Sequence, residues 1–296
     1  FCNQRTIAGQ KQRMTPAQAR GILQHAHAIL PAGNIPQAAF YGGSFTAIPV
    51  EQQEELLAVT DEFFAAGKIS SVRISTRPDA IDEEILSRMK RHHVTVIALG
   101  AQSMDDTVLQ NARRGHTAVD TARAASLIQQ AGISLILQTM AGLPGDTRET
   151  VRYTAQCIAA LKPDGVRIYP VAVLPDTPLY DDWQAGRYQP LDVETAAVWC
   201  ADMLEIFERE HIPVIRVGLN PTEELDSTVA AGAYHPAMGE LAYGELWYRR
   251  LCRHIQMTGE RTIAVAPREL SRAIGHKKRN LLRLREQFGA VHIVAQ

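Results

Sequence analysis

Short apolar runs rich in β-branched residues alternate with longer segments of helical periodicity along the first two thirds of the chain. This alternation is typical of repeated βα units, whose strands form a parallel sheet. The pattern predicts six strands, at residues 37–41, 70–75, 94–100, 133–139, 165–171 and 213–217. It predicts helices before and between them, at residues 16–30, 52–66, 82–91, 119–131, 148–161 and 193–210.

Glycines and polar residues follow the ends of the predicted strands. They stand at residues 41–44, 75–79, 100–103, 138–145 and 169–170. The spacing of the units suits either a βα barrel or an open doubly wound sheet. In a barrel the carboxyl ends of all strands meet on one face, so one ligand can contact every corner. The position of the unusual residues therefore favours a barrel-like arrangement.

The alternation stops after Val217, and residues 230–240, around His235, have the character of a loop-rich cover. A strand at 262–265, a helix at 267–274, a basic corner, a helix to Phe288 and a strand at 291–294 follow. That β-α-α-β order differs from the body. The sequence thus predicts a barrel over residues 1–220, an extension covering it over 221–258, and a small basic module over 259–296.

Composition and charge narrow the class of protein. With 46% hydrophobic and 21% charged residues, the 296-residue chain can bury a sizeable core, which excludes a disordered, collagen-like or coiled-coil protein. No apolar run reaches 18 residues, so we expect a soluble, cytoplasmic protein without membrane partners. Four cysteines in this length argue against a disulfide framework. The net charge of -1 hides a basic stretch, because residues 249–285 hold eleven Lys and Arg and only two Glu.

Four short motifs, taken together and in this order, carry a resemblance to a known family. They are Cys2-Asn3-Gln4, Tyr41-Gly42-Gly43-Ser44, Gly100-Ala101-Gln102-Ser103 and Gly142-Leu143-Pro144-Gly145. The set resembles the radical S-adenosylmethionine (SAM) superfamily, in the branch of the Elongator catalytic subunit and oxygen-independent coproporphyrinogen III oxidase. The resemblance implies an α/β fold, a partial (β/α)6 radical SAM barrel whose first strand is missing.

The same resemblance implies a metal cofactor. In that family three cysteines spaced CxxxCxxC hold a 4Fe-4S cluster, and Cys2 looks like the third ligand because Asn3 follows it. Its two partners would then lie before residue 1. The alternative is that Cys2 is an ordinary small apolar residue.

The resemblance also implies a set of residues that bind SAM. Glycines after a strand let the backbone approach a ligand closely, and arginine forks suit the methionyl carboxylate or acidic groups of the substrate. Gln138 stands where the branch carries Asp, so it keeps hydrogen bonding to ribose hydroxyls without the charge. Tyr169 is either a wall of the adenine or substrate site or a plain barrel-end aromatic. The implied residues are Gly42, Gly43, Ser44, Arg77, Gln102, Arg114 and Gln138; no catalytic residue is assigned.

Several of the residues singled out above also have a simpler structural interpretation. Gly42 and Gly43 also suit an ordinary tight turn. Arg113 and Arg114 also suit a solvated helix surface. Asp82 is best explained as a helix N-cap, and His235 as part of a structural clasp rather than a metal ligand.

The basic tail carries a second resemblance. The run from Ile274 to Leu281 resembles the corner of a KH module, whose GxxG sequence clamps a nucleic-acid backbone, although Lys278 replaces the second glycine. This implies RNA contacts from Gly275, Lys277, Lys278 and Arg279. A solvated basic helix face is the alternative.

Together these features predict a radical SAM enzyme that takes electrons from a donor and acts on RNA, with tRNA as the favoured class of RNA. The resemblance implies that the cluster cleaves SAM to methionine and a 5′-deoxyadenosyl radical, which abstracts a substrate hydrogen. Nothing resembles an acetyltransferase domain. The alternatives are a porphyrinogen-type oxidase of a small acidic substrate and a non-catalytic RNA-binding protein on a degenerate barrel. A CxxxC sequence directly before Phe1 would favour the enzyme.

Overall fold

The computed structural model describes residues 13–31 and 33–296. Its central sheet consists of β1 (Gln37–Phe40), β2 (Ser71–Thr76), β3 (Val94–Gln102), β4 (Ser134–Ala141), β5 (Gly165–Pro170) and β7 (Val214–Val217). The strands pair in parallel and in chain order. Six parallel strands with helices between them form half of an α/β barrel, as the alternating pattern predicts. Each predicted strand is confirmed within about two residues at either end.

Helices precede and connect these strands, and the longer ones pack on one face of the sheet through buried apolar side chains. The helices are α1 (Pro16–Ile29), α2 (Val50–Ala65), α3 (Glu83–Arg91), α4 (Asp106–Asn111), α5 (Ala118–Gln130), α6 (Arg148–Ala160), α7 (Pro178–Gln184) and α8 (Val193–Arg209). The six predicted helices are confirmed, and the short α4 and α7 were missed by the pattern because they span fewer than two turns. Asp82 caps α3 as expected, since its carboxylate accepts the Ile85 N–H at 2.7 Å.

Alternation along the strands divides the sheet into two faces. Val72 and Ile74 on β2 are fully buried in the core that packs against the helices. Successive side chains of a strand point to opposite faces, so Arg73 lies on the concave face of the half-barrel. Val166 and Ile168 are buried in the same core and place Arg167 of β5 on the concave face in the same way.

The segment after β7 departs from the sequence prediction. It contains α9 (Glu223–Thr228), the short strand β8 (Ala231–Gly232), which pairs antiparallel with β6 (Ala172–Val173), and the long α10 (Met238–Thr258). The prediction of a loop-rich cover over residues 230–240 is therefore wrong from Met238 onward, where α10 begins. Ala242 and Leu246 of this helix are fully buried in the barrel core, and that burial stabilises the helix. No described helix is long and apolar enough to cross a membrane.

A small β-α-α-β module ends the chain, in the predicted order. It comprises β9 (Thr262–Val265), α11 (Leu270–Ile274), α12 (Arg279–Phe288) and β10 (His292–Ala295), and its two strands pair in parallel. The first helix is shorter than predicted because residues 267–269 form a 3-10 turn. Leu251 and Ile255 of α10 join the apolar core of the module, so α10 packs against both barrel and tail. The division at residues 220 and 258 stays a prediction.

A buried ionic contact fixes α8 between two neighbouring helices. Asp202 of α8, with its side chain 3% exposed, accepts Arg148 Nε at 2.5 Å and Arg249 Nη1 at 2.6 Å. Burial alone would raise the pKa of Asp202, but the hydrogen bonds from Arg148 and Arg249 outweigh it and hold the pKa below its ordinary value. The contact therefore ties α6 and α10 to the centre of the helical layer.

Replacing Asp202 by Asn is expected to lower the free energy of unfolding by about 2 to 3 kcal/mol, because two charged hydrogen bonds lose their anionic partner. Since the pKa of Asp202 is lowered by folding, its contribution is present above the ordinary carboxyl value of 3.8 and lost as pH falls below it. Urea unfolding at several pH values measures this. The control is Glu205→Gln, whose partner Arg253 is 61% exposed, and it should cost less than about 0.5 kcal/mol. The difference in the free energy of unfolding between the parent and Asp202→Asn should shrink in acid. A difference that grows in acid would contradict the assignment.

Candidate functional site

The corner after β1 presents backbone rather than side chains. Gly42 has a φ of 97°, in the left-handed region that favours glycine. A Cβ atom added to Gly43 would meet no atom of the described residues within 4 Å. Ser44 then begins a 3-10 turn whose Phe45 and Thr46 are buried, which anchors the corner. The result is an exposed stretch of backbone with open space above it.

The polar cluster at the end of β3 and β4 gathers three of the predicted residues. A Cβ atom added to Gly100 would lie 2.6 Å from Gln102 Nε2 and 3.7 Å from an Arg114 guanidinium nitrogen. Gln102 is 4% exposed and has a φ of 66°. Gln138 on β4 donates from Nε2 to Gln102 Oε1 at 3.5 Å. Because Gly100 has no side chain, the side chains of Gln102 and Arg114 can occupy the space beside it.

Arg114 reaches this cluster from a turn rather than from a helix surface. Its backbone N–H bonds to the Leu109 carbonyl at 3.0 Å, beyond the last residue of α4, and its Nε atom is buried. Nearby His116 contacts the Ala101 carbonyl at 3.1 Å through Nε2. Burial, followed by the Arg114 charge, lowers the pKa of His116, although the Ala101 contact acts against this. The solvated-helix interpretation of Arg114 is therefore wrong, because its guanidinium lies at the strand ends.

Arg77 lies at the same edge but has a partner of its own. Its guanidinium forms an ion pair with Asp79 at 2.9 Å and is 46% exposed. In sheet order, Arg77 follows β2, between the Gly42–Gly43 corner after β1 and the cluster at β3 and β4. The carboxyl edge of the sheet thus carries all seven predicted cofactor residues, and hydrogen bonding or close approach joins three of them.

The last predicted corner, residues 142–145, is held by residues that the sequence did not single out. Asp146 accepts the N–H groups of Gly142 and Leu143 at 3.0 and 3.2 Å. Burial raises the pKa of Asp146 to about 6. The Tyr188 hydroxyl donates to the Gly142 carbonyl at 2.6 Å. These contacts make the corner a rigid turn beside the site.

Two arginine side chains on the concave face, which converge on Tyr41, were missed from sequence. Arg73 Nη1 and Arg167 Nη2 both donate to the Tyr41 hydroxyl, at 3.5 and 3.0 Å. Burial alone would raise the pKa of Tyr41, but the two arginines together lower it below its ordinary value. Burial raises the pKa of Tyr169, which also faces inward from β5. The available signal was an arginine between two aliphatic residues in a predicted buried strand.

Two protein-family models match this chain. The model described as "Radical SAM superfamily" matches residues 1–158, and the "Radical_SAM C-terminal domain" model matches residues 163–248. The chain belongs to the radical SAM superfamily. Members of this family are enzymes that use a 4Fe-4S cluster and SAM, and the half-barrel is a partial radical SAM barrel.

Several curated proteins and solved structures are similar to this chain. A tRNA uridine(34) acetyltransferase of Methanocaldococcus jannaschii is 35% identical over 126 residues, which is 42% of this chain and 23% of that protein. Elongator complex protein 3 of Bos taurus is 26% identical over 225 residues, covering 69% of this chain and 40% of that protein. The chain therefore spans less than half the length of these curated relatives.

The solved structures show the fold. The archaeal Methanocaldococcus infernus Elp3 with an N-terminal deletion has a TM-score of 0.66 at 22% identity, over 82% of this chain and 59% of that chain. Coproporphyrinogen III oxidase (HemN) from Escherichia coli has a TM-score of 0.51 at 15% identity, over 71% of this chain and 47% of that chain. Both carry the barrel arrangement that the alternating pattern predicts.

The residues of this radical SAM chain fit SAM. The backbone of Gly42 and Gly43 can approach a ligand closely because no atom of residues 13–31 or 33–296 fills the space above Gly43. Arg114 supplies a charge suited to a carboxylate, while the amides of Gln102 and Gln138 suit hydroxyl groups. Cys2 lies outside the described residues. Within residues 13–31 and 33–296, no group of three or more His, Cys, Asp or Glu side chains could hold a metal ion.

The basic corner of the tail lies against the radical SAM barrel. Lys277 and Lys278 are exposed, with φ values of 50° and 61°, and they directly precede α12, which begins at Arg279 without a side-chain cap. Arg279 forms an ion pair with Glu194 of α8 at 2.8 Å. The two lysines therefore face solvent, whereas Arg279 is partly engaged by the barrel.

Asn280 holds this corner in place beside a cleft of about 230 Å³ between α8, α10 and the tail. Its side-chain amide donates to the Gly244 carbonyl at 2.7 Å and to the Ala273 carbonyl at 3.2 Å. A Cβ atom at Gly275 would lie 2.7 Å from Asn280 Cγ, so this glycine is required for close packing. Gly275 thus shapes the corner through its contact with Asn280.

His235 lies next to the same corner. Its Nδ1 accepts the Ala237 N–H at 3.0 Å, and its ring packs edge-on against His276 with the centroids 5.8 Å apart. Burial, together with the charge of His276, lowers the pKa of His235. These contacts join the segment before α10 to the tail, which suits a structural clasp.

Proposed function

We propose that this chain is the radical SAM part of an enzyme that modifies tRNA. The observation that carries the cofactor assignment is the open backbone at Gly43, facing an edge that also holds Gln102, Arg114 and Gln138. The names of the relatives, a tRNA uridine(34) acetyltransferase and Elongator complex protein 3, support tRNA as the substrate. The exposed Lys277 and Lys278 support contact with its phosphates.

The chain's own residues would bind and orient the cofactor. Backbone atoms at Gly42 and Gly43 would receive the SAM ammonium, and Arg114 or Arg77 its carboxylate. Gln102 and Gln138 would hold its hydroxyl groups. When bound, the 4Fe-4S cluster and SAM would supply an electron and a 5′-deoxyadenosyl radical that removes a hydrogen atom from the substrate. Helices over the outer face and side chains on the concave face would keep water from the reacting atoms.

Cys2 is the residue on which the cluster assignment depends. In the natural full-length protein, Cys2→Ser is expected to remove the brown charge-transfer absorption after anaerobic reconstitution, because a cluster requires its thiolates. Reductive release of 5′-deoxyadenosine from SAM should be lost with it. The control is Cys157→Ser on α6, a half-buried cysteine away from the strand ends, which should leave both signals intact. A brown, SAM-cleaving Cys2→Ser protein would refute the proposed ligand.

The substrate is tested separately from the cofactor. The reconstituted protein, given SAM and reductant, should transfer deuterium from deuterated tRNA into 5′-deoxyadenosine, because the proposed radical removes a hydrogen atom from its substrate. A deuterated porphyrinogen should transfer none, and mass spectrometry of the 5′-deoxyadenosine measures both. Transfer from the porphyrinogen alone would favour the oxidase, and tRNA binding without SAM cleavage would favour the non-catalytic RNA-binding protein.

A further inference from the structure

Three arginines lie together on the concave face of the half-barrel. Arg73 is on β2, Arg167 on β5 and Arg216 on β7, where Arg216 is the register partner of Arg167. Among the described residues, none of the three forms an ion pair with a carboxylate, whereas Arg77 and Arg148 do. Guanidinium groups held close together repel one another, so such a cluster favours the binding of an anion.

The Tyr41 hydroxyl marks the point where two of these arginines converge. Its oxygen accepts hydrogen bonds from Arg73 and Arg167, which reach it from β2 and β5. The Nε atoms of both arginines are buried, and neither has a hydrogen-bond partner within the part of the chain that the structure describes. Buried donors without acceptors are costly, and most such donors in folded proteins are satisfied. A ligand with several oxygen atoms would accept from more of the guanidinium N–H groups than the single Tyr41 oxygen can.

We propose that Arg73, Arg167 and Arg216 bind an oxyanion of the substrate, a phosphate or a carboxylate group. The Tyr41 hydroxyl occupies the oxyanion position until the substrate binds. This inference deepens the proposed function and rests on it only for the statement that the anion belongs to the substrate. The guanidinium groups have the planar fork that matches both kinds of oxyanion.

The position of the arginine cluster relates it to the cofactor residues. Gln138 is the register partner of Arg167 on the neighbouring strand, and it also contacts Gln102 at 3.5 Å. The oxyanion would therefore be held one strand away from the residues assigned to SAM. Arg77 and Arg114 lie beyond the strand ends, so the two sets of arginines serve different anionic groups.

Calorimetric titration of the full-length protein with inorganic phosphate or with succinate, with and without saturating SAM, tests the proposal. At least one of the two anions should bind, and SAM should not displace it. Arg167→Gln and Arg216→Gln should each weaken binding about tenfold or more, because each removes a charged hydrogen bond. The matched control is Arg152→Gln, an exposed arginine on α6, which should leave the affinity unchanged.

Tyr41→Phe separates a ligand site from a structural strut. If the hydroxyl only occupies the oxyanion position, its removal should tighten anion binding about threefold, with little change in thermal stability. A pH titration followed by ultraviolet absorption measures the ionisation of Tyr41, because subtracting the titration of Tyr41→Phe from that of the parent removes the signal of the other tyrosines. The arginines hold this pKa low against the effect of burial, and bound anion should raise it.

The result that overturns the proposal is the absence of binding of both anions, their displacement by SAM, or equal affinity in the parent and both arginine variants. Should Arg167→Gln unfold, Arg216→Gln decides, because no hydrogen bond of Arg216 is part of the network at Tyr41. Selective binding of phosphate assigns the site to a nucleotide phosphate, and selective binding of succinate assigns it to a carboxylate. These titrations contain neither reductant nor tRNA, so they can fail while tRNA modification succeeds, and the reverse.

Discussion

Replacing Gly43 by Val in the full-length protein is expected to weaken SAM binding a hundredfold or more, about 3 kcal/mol, while the barrel still folds. The φ of Gly43 is outside the left-handed region, and within the described part of the chain a Cβ atom there meets no atom within 4 Å. The side chain would instead fill the space assigned to SAM. Calorimetric SAM binding together with a melting curve measures both effects.

Two further glycines serve as controls for this variant. Gly21 on α1 also has open space around its Cβ position and no left-handed φ, so Gly21→Val should change SAM affinity very little. Gly42, with a φ of 97°, should lose stability when it is replaced by Val, because a β-branched residue is strained there. A folded Gly43→Val protein with unchanged SAM affinity would show that SAM binds elsewhere.

Changing Lys277, Lys278 and Arg279 together to Ala is expected to weaken tRNA binding and to reduce its salt dependence. Each phosphate contact releases counterions, so the slope of log affinity against log salt should flatten by about two to three units. The ion pair of Arg279 with Glu194 favours a value nearer two, because that guanidinium is already engaged. Filter binding or fluorescence anisotropy over a range of salt concentrations measures the slope.

The control for the tail variant removes three positive charges from a different surface. Lys68, Lys90 and Arg123 are exposed on the helical side of the barrel, and Arg123 also has an acidic partner, Asp120. Their joint change to Ala should leave the slope within about one unit of the parent value. SAM cleavage without tRNA should be equal in all three proteins. An unchanged slope in the tail variant would remove the KH-like interpretation and favour a small anionic substrate.

The ion pairs of the basic stretch show why it is less available than its charge suggests. Arg283 of the tail contacts Glu245 of α10 at 2.8 Å, and its guanidinium lies 3.5 Å from the centre of the Tyr248 ring. On α10, Arg250 pairs with Glu208 of α8, and Arg253 pairs with Glu205 of α8 at 3.3 Å. Much of the positive charge in residues 249–285 therefore attaches α10 to the barrel and the tail to α10. This leaves Lys277 and Lys278 as the better candidates for RNA.

Sequence periodicity determined the six parallel strands and their six principal helices, because the two-residue and 3.6-residue repeats are local properties of the chain. It also put the glycine corner at Gly42 and Gly43 at the end of a strand. Local pattern missed α10, whose Ala242 and Leu246 are stabilised by burial against elements far away in sequence.

Only the tertiary structure decided which polar side chains meet. From sequence, Arg73 and Arg167 are single charged residues within two separate strands, and Arg114 is one of many arginines near helices. The curvature of the sheet brings Arg73 and Arg167 to one oxygen of Tyr41, and the turn after α4 turns Arg114 towards Gln102. A strand pattern specifies the face on which a side chain lies, whereas the distance between side chains on different strands depends on how the whole half-barrel closes.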